Sequence, residues 1–153
     1  MAVIRQQIDI RSTCAGVWSY VTDFERMPEW FFGVKHVSVL SLQSGVGAER
    51  ILTTLVGHSY RERFVTWDEP KTFRFQVLNP PWFSREWDAG IELAPTSDGA
   101  RFVWEIRYAT RFGIFGRAFD VCMVAPFMTA VVRRSLKNLR AVMEDVTVRR
   151  GRP

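Results

Sequence analysis

Cysteine and histidine are scarce in this chain, with two of each in 153 residues. Cys14 and Cys122 lie far apart and match no metal or redox spacing, and His36 and His58 fall on different predicted strands. Neither a metal centre nor a disulfide is expected, and both thiols are read as free and buried in a reducing cytoplasm. A Gly-x-Ser-x-Gly elbow, a catalytic Cys/His pair and a dinucleotide fingerprint are also missing. Gly45-Val46-Gly47 comes nearest to a phosphate loop, but it leads into a strand, and a phosphate cradle needs a helix N-terminus behind its glycines. No cofactor is therefore expected. The first residues, Met1 to Arg5, lack the apolar run of a signal peptide, so a cytoplasmic location is expected.

Charge of one sign is missing from most of the chain as well. The formal net charge is +5, but seven basic residues against two acidic ones over Arg133–Pro153 account for all of it. The rest of the chain is balanced, which argues against a nucleic-acid-binding body. The basic end reads as a solvated helix face followed by a flexible tail over 149–153, with residues 1–148 forming one domain.

Aromatic residues, by contrast, are plentiful. Six Trp, twelve Phe and three Tyr make up 14% of the chain, more than a small core needs. Much of this content sits in alternating segments. Phe73, Phe75 and Val77 share one face against Thr72, Arg74 and Gln76. Trp87, Ala89, Ile91 and Leu93 oppose Glu86, Asp88 and Glu92, and Phe102, Trp104, Ile106 and Tyr108 oppose Arg101, Glu105 and Arg107. Successive side chains of a strand point to opposite faces, so the pattern predicts one ionic, wet face and one aromatic face that needs a cover.

The remaining segments complete the order. Ile4–Ile10 is a first strand, and Ser12 or Thr13 can cap a short helix through Val21. A second short helix or turn ends near Trp30, and further strands begin at Val34. Breaks at Gly57-His58, Asp68-Glu69-Pro70, Asn79-Pro80-Pro81 and Ser97-Asp98-Gly99 are turn chemistry, and such short connections imply antiparallel pairing. One long helix, from about Arg117 to Val146, carries a stripe of Phe119, Cys122 or Met123, Phe127, Ala130, Leu136, Leu139, Met143 and Val146 that could cover the aromatic face.

With this order the sequence resembles the START-like (SRPBCC) superfamily, in particular its polyketide cyclase/dehydrase and lipid-transport branch. The resemblance rests on "IDIRSTCAGVWSYVTDFERMPEWFFGVKHVSVL", "SGVGAE", "RFVTWDEPKTFRF" and "RRSLKNLRAVMED", and spans roughly residues 3 to 146. It implies an α+β helix-grip fold, in which a curved seven-stranded antiparallel sheet grips the C-terminal helix, commonly around a cavity for a hydrophobic molecule. The expected function is binding of a polyketide, isoprenoid or lipid-like molecule. Two rivals are an aromatase/cyclase-type enzyme and a ligand-free module that dimerises. Because a fold shared by many functions fixes none of them, site residues have to come from the chemistry.

Candidate cavity residues are Trp30, Phe75, Trp87, Trp104, Phe119, Met123 and Phe127, with Tyr60 and Tyr108 able to offer a hydroxyl to a ligand oxygen. Glu62 is the candidate acid or base beside Tyr108. If Phe64 points inward, Glu62 lies among aromatics; in the other register Val65, Trp67 and Arg61 point inward and Glu62 does not. A surface salt-bridge partner is the favoured reading of Glu62. The run Val121–Val132 is apolar at nearly every position and contains Pro126. It is shorter than the about 20 apolar residues that span a bilayer, so no integral membrane segment is expected. A helix apolar all round needs cover on its back too, which makes Val121, Val124 and Met128 the expected place for a homodimer contact or a ligand portal.

Overall fold

A computed structural model describes residues 1–41 and 44–150, and of 146–150 only the backbone. Strand β1 (Ala2–Ile10) is followed by helix α1 (Cys14–Val21), a 3-10 turn (Phe24–Arg26) and the single-turn helix α2 (Met27–Trp30). Thr13 is the N-cap of α1, and its hydroxyl accepts from Gly16 N at 3.0 Å. Six strands follow: β2 (Val34–Val39), β3 (Glu49–Thr54), β4 (Ser59–Asp68), β5 (Thr72–Val77), β6 (Ser84–Pro95) and β7 (Ala100–Thr110). Together with β1 they make one antiparallel sheet in the order β1-β7-β6-β5-β4-β3-β2. The expected α+β helix-grip architecture is the one found.

Alternation sorts the sheet into the two expected faces. Phe73, Phe75, Ala89, Ile91, Leu93, Phe102, Trp104, Ile106 and Tyr108 are buried on the inner face. On the outer face Glu105 bonds Arg5 at 2.7 Å and Arg107 at 2.7 Å, and Arg74 reaches it at 3.3 Å. Arg101 holds Asp9 in the same way on β1.

The C-terminal helix begins earlier than expected, as α3 (Gly113–Phe119), passes through a π turn (Asp120–Val124), and continues as α4 (Ala125–Arg150). Its buried side runs Gly116, Asp120, Val124, Val132, Leu136, Leu139 and Met143, with Met128 half-buried, and it packs on β1 and α2. The last four positions of the expected stripe divide: Leu136, Leu139 and Met143 are as anticipated, and the Val146 side chain lies outside the described residues.

The first half of that stripe needs correction. Phe119, Cys122, Met123, Phe127 and Ala130 face away from the core. Phe127 and Ala130 lie within α4 itself, about 180° and about 120° around the helix from the buried Leu136, and so point away from it. The π turn inserts an extra residue into one turn, which brings Asp120 to the buried side and turns Cys122 out. The same shift exposes Cys122, which was expected to be buried, and buries Val124, which was expected on the back of the helix; Cys14 is half-buried. By length and composition Gly113–Asp145 could cross a bilayer, but its inner stripe is part of the core.

Candidate functional site

Strand β3 turns Arg50 and Leu52 inward, and β4 answers with Glu62 and Phe64. Both Phe64 and Trp67 face inward because the register shifts between Phe64 and Thr66, where a bulge turns Val65 and Thr66 out together. Neither simple register of the sequence is therefore complete. Glu62 is corrected from a surface partner to a buried carboxylate, 5% exposed, which accepts from Arg50 Nε at 2.6 Å.

Arg50 is itself only 1% exposed. Its guanidinium lies over three rings, 4.3 Å from the centroid of Phe24, 4.9 Å from Phe75 and 5.0 Å from Phe64. Such faces attract a cation strongly once water is excluded. They accept poorly as hydrogen-bond partners, and Nη1 and Nη2 have no partner among the described residues. Burial pushes the Glu62 carboxyl up from its ordinary range, and the Arg50 charge and hydrogen bond only partly offset this.

Two other buried donors lack an acceptor among the described residues, the indole Nε1 atoms of Trp30 and Trp104. Their rings meet edge to face with centroids 5.6 Å apart, and Phe31 packs on Trp104 at 4.7 Å. The helix is tied to this corner by Ser135, whose hydroxyl accepts from Phe32 N at 3.0 Å, and by Asn138, which donates to the Trp30 carbonyl at 3.3 Å.

A second polar centre lies under the start of the C-terminal helix. The fully buried Tyr108 hydroxyl donates to Asp120 of the π turn, and the Tyr108 ring stacks on Trp87 at 4.9 Å. Burial, then the neighbouring Asp120, pushes the Tyr108 hydroxyl well up, so it stays protonated and acts as a donor. From Trp87 a chain of rings leads outward through Phe83 at 6.2 Å to Phe119 at 6.4 Å and Trp82 at 5.8 Å. These last rings border an apolar cleft of about 170 Å³, walled by Trp82, Phe83, Phe112, Phe115 and Phe119, with Thr110 to Phe112 and Gly116 at its base. That volume takes a ring or a short chain; a drug-sized ligand fills about 300–1,000 Å³. Gly116 is required here, because a Cβ would stand 1.7 Å from the Arg111 carbonyl oxygen.

The expected cavity residues therefore separate. Phe75, Trp104 and Tyr108 are buried on the inner face, Trp30 is buried on α2 against Trp104, and Trp87 and Tyr60 are half-buried. Phe119 borders the outer cleft. Met123 and Phe127, 61% and 65% exposed, join neither group, since both lie on the side of the helix away from the buried Val124, Val132 and Leu136. Burial alone pushes the Tyr60 hydroxyl up. Arg50 and Asp120 were not anticipated as site residues. Arg50 could have been found from its place two residues before the inward Leu52, directly across the hairpin from Glu62. The inward turn of Asp120 depends on the π segment, which leaves no periodic signal. Among the described residues no group of three or more His, Cys, Asp or Glu side chains could hold a metal.

The sequence matches the model of a family described as polyketide cyclase/dehydrase and lipid transport over residues 1–144. The chain belongs to that family. No curated protein matches it. Among solved structures, XoxI from Bacillus cereus superposes with a TM-score of 0.77 at 15% identity, covering 96% of this chain and 99% of the other. TTHA0849 from Thermus thermophilus gives 0.75 at 20% identity, with 95% and 99% covered. A point mutant of norcoclaurine synthase from Thalictrum flavum, in complex with a transition-state analogue, gives 0.72 at 13% identity, with 95% and 96% covered. At these identities the likeness concerns the fold alone. The family's description points to hydrophobic-ligand binding or cyclisation.

Proposed function

We propose that the protein binds a hydrophobic small molecule of polyketide, isoprenoid or lipid type between the aromatic face of the sheet and the first half of the C-terminal helix. The observation that carries this reading is Arg50, a buried guanidinium caged by phenyl rings with two donor nitrogens unused. A buried donor left unsatisfied costs about 1–3 kcal/mol, and an acceptor oxygen on an otherwise apolar ligand would recover that cost. Burial of the ligand's apolar surface supplies most of the affinity, at about 25 cal/mol per Å² before association costs. The ligand enters at the Trp82–Phe119 cleft.

The test is a tryptophan-fluorescence titration with oleate, which carries a carboxylate, and with Nile red, which is neutral. Both should give saturable changes. Replacing the buried pair together, as Arg50→Met with Glu62→Leu, should weaken oleate by about tenfold and Nile red far less. A flat response to both probes contradicts the reading.

A cyclase is the second reading, favoured by two separate groups on the inner face: Glu62 on β4, whose carboxyl is pushed up by burial, and the protonated Tyr108 on β7. Two such groups can give and take protons while the cavity folds a reactive chain. Under this reading Glu62→Gln and Tyr108→Phe each abolish turnover of a poly-β-ketone analogue and leave its binding intact. Turnover retained in both variants leaves only the carrier.

A further inference from the structure

The outer side of α3 and the π turn is apolar where a surface is ordinarily polar. Ile114 is 78% exposed, Phe115 79%, Trp82 70% and Phe112 62%, and Val121, about two turns beyond Ile114, is 68% exposed. Its aromatic part is contiguous: the Trp82 ring lies 6.3 Å from Phe112 and 6.1 Å from Phe119, and Phe115 lines the same cleft. Phe112 is also held in the left-handed region, at φ 69°. A bulky residue rarely adopts that conformation, and here the strain presents its ring to the outside instead of to the core.

Along the helix the exposed charge beside this patch has one sign. From Arg111 to Arg140 every exposed charged residue is basic. The one acid in that span, Asp120, is buried and bonded to Tyr108. Glu86 stands nearby, but on the outer face of the sheet, opposite in alternation to Trp87. A two-fold contact with a second copy through this patch would bring Arg111 and Arg117 against their own counterparts. An anionic lipid surface would instead complement them.

We propose that this patch docks the protein on an anionic phospholipid bilayer. Trp82, Phe112, Ile114 and Phe115 enter the boundary between headgroups and acyl chains, and Arg111 and Arg117 lie among the phosphates. The helix rests on the bilayer and does not cross it, because Val132, Leu136, Leu139 and Met143 remain in the core. The ligand cleft then opens toward the lipid, since Trp82, Phe112 and Phe115 belong to both.

The test is co-sedimentation with sucrose-loaded vesicles of phosphatidylcholine alone and of phosphatidylcholine mixed with phosphatidylglycerol, at low salt. The protein should pellet with the mixed vesicles and not with the neutral ones. Arg117→Ala should weaken partition about fivefold. Ile114→Glu with Val121→Glu should weaken it at least about tenfold, with an unchanged circular-dichroism spectrum. Neither residue borders the cleft, so the oleate titration should be unaffected, and it separates failure of docking from failure of ligand binding. Equal partition to both vesicles, no partition to either, indifference to the double variant, or a dimer in solution that this variant dissociates would each overturn the proposal.

Discussion

On the outer face of the sheet Glu105 is met by three guanidiniums, those of Arg5, Arg74 and Arg107. On the inner face Glu62 is met by one, Arg50, whose guanidinium lies over three phenyl rings. The same residue type is therefore driven in opposite directions. Partial burial acts to raise the Glu105 carboxyl, but the hydrogen bonds from Arg5 and Arg107 and the charge of Arg74 outweigh it and hold the group below the ordinary range. At Glu62 burial wins. The outer network shields Glu105 too, but shares it among several partners, of which Arg5 and Arg107 are half-exposed, and such cross-strand pairs help fix the register of a sheet's ionic face. The inner pair is costly to desolvate and leaves donors unused, a poor way to stabilise a core and a reasonable way to prepare a site.

The largest effect that would sharpen this contrast is loss of one inner partner. Glu62→Ala leaves the Arg50 charge buried without its carboxylate and should cost about 3–5 kcal/mol in urea unfolding. Arg50→Met combined with Glu62→Leu should recover most of that loss. Tyr108→Phe removes the donor to the buried Asp120 and should cost about 1–3 kcal/mol. On the outer face Glu105→Gln should cost about 1–2 kcal/mol, less than the inner loss because Arg5 and Arg107 remain about half exposed to water.

The smallest effect is in the pH dependence, and its sign differs between the faces. Glu105, held low, contributes stability that is present above the ordinary carboxylate range and is lost as pH falls through its folded value. Glu62, held high, contributes stability that is present below the ordinary range and is lost as pH rises through its folded value. In thermal melts across pH, Glu105→Gln should flatten the acid limb. Glu62→Gln should flatten the decline on the less acidic side. Equal changes in both limbs would mean that the two faces do not differ as described.

The contrast between the faces was legible in the sequence because β5, β6 and β7 alternate almost without interruption, and the ionic partners of Glu105 sit where alternation puts them. What was not legible depends on two insertions into regular structure. The bulge at Val65 lets Phe64 and Trp67 share a face, which no strict period-two reading of β4 allows, and so the depth of Glu62 was missed. The π turn at Asp120–Val124 shifts the helix face by one position, which hid Asp120 as a site residue; Phe119 borders the outer cleft, and Met123 and Phe127 are exposed on the far side of the helix. Past Ser135 the ordinary period returns, and Leu136, Leu139 and Met143 fall where the apolar pattern places them.

The most direct test of the central claim is the oleate titration followed by tryptophan fluorescence, run on the wild-type protein and on Arg50→Met with Glu62→Leu. The account predicts saturable binding to the wild type and about tenfold weaker binding to the paired variant. Equal affinity for the two proteins would show that the caged guanidinium plays no part in recognition, and would contradict it.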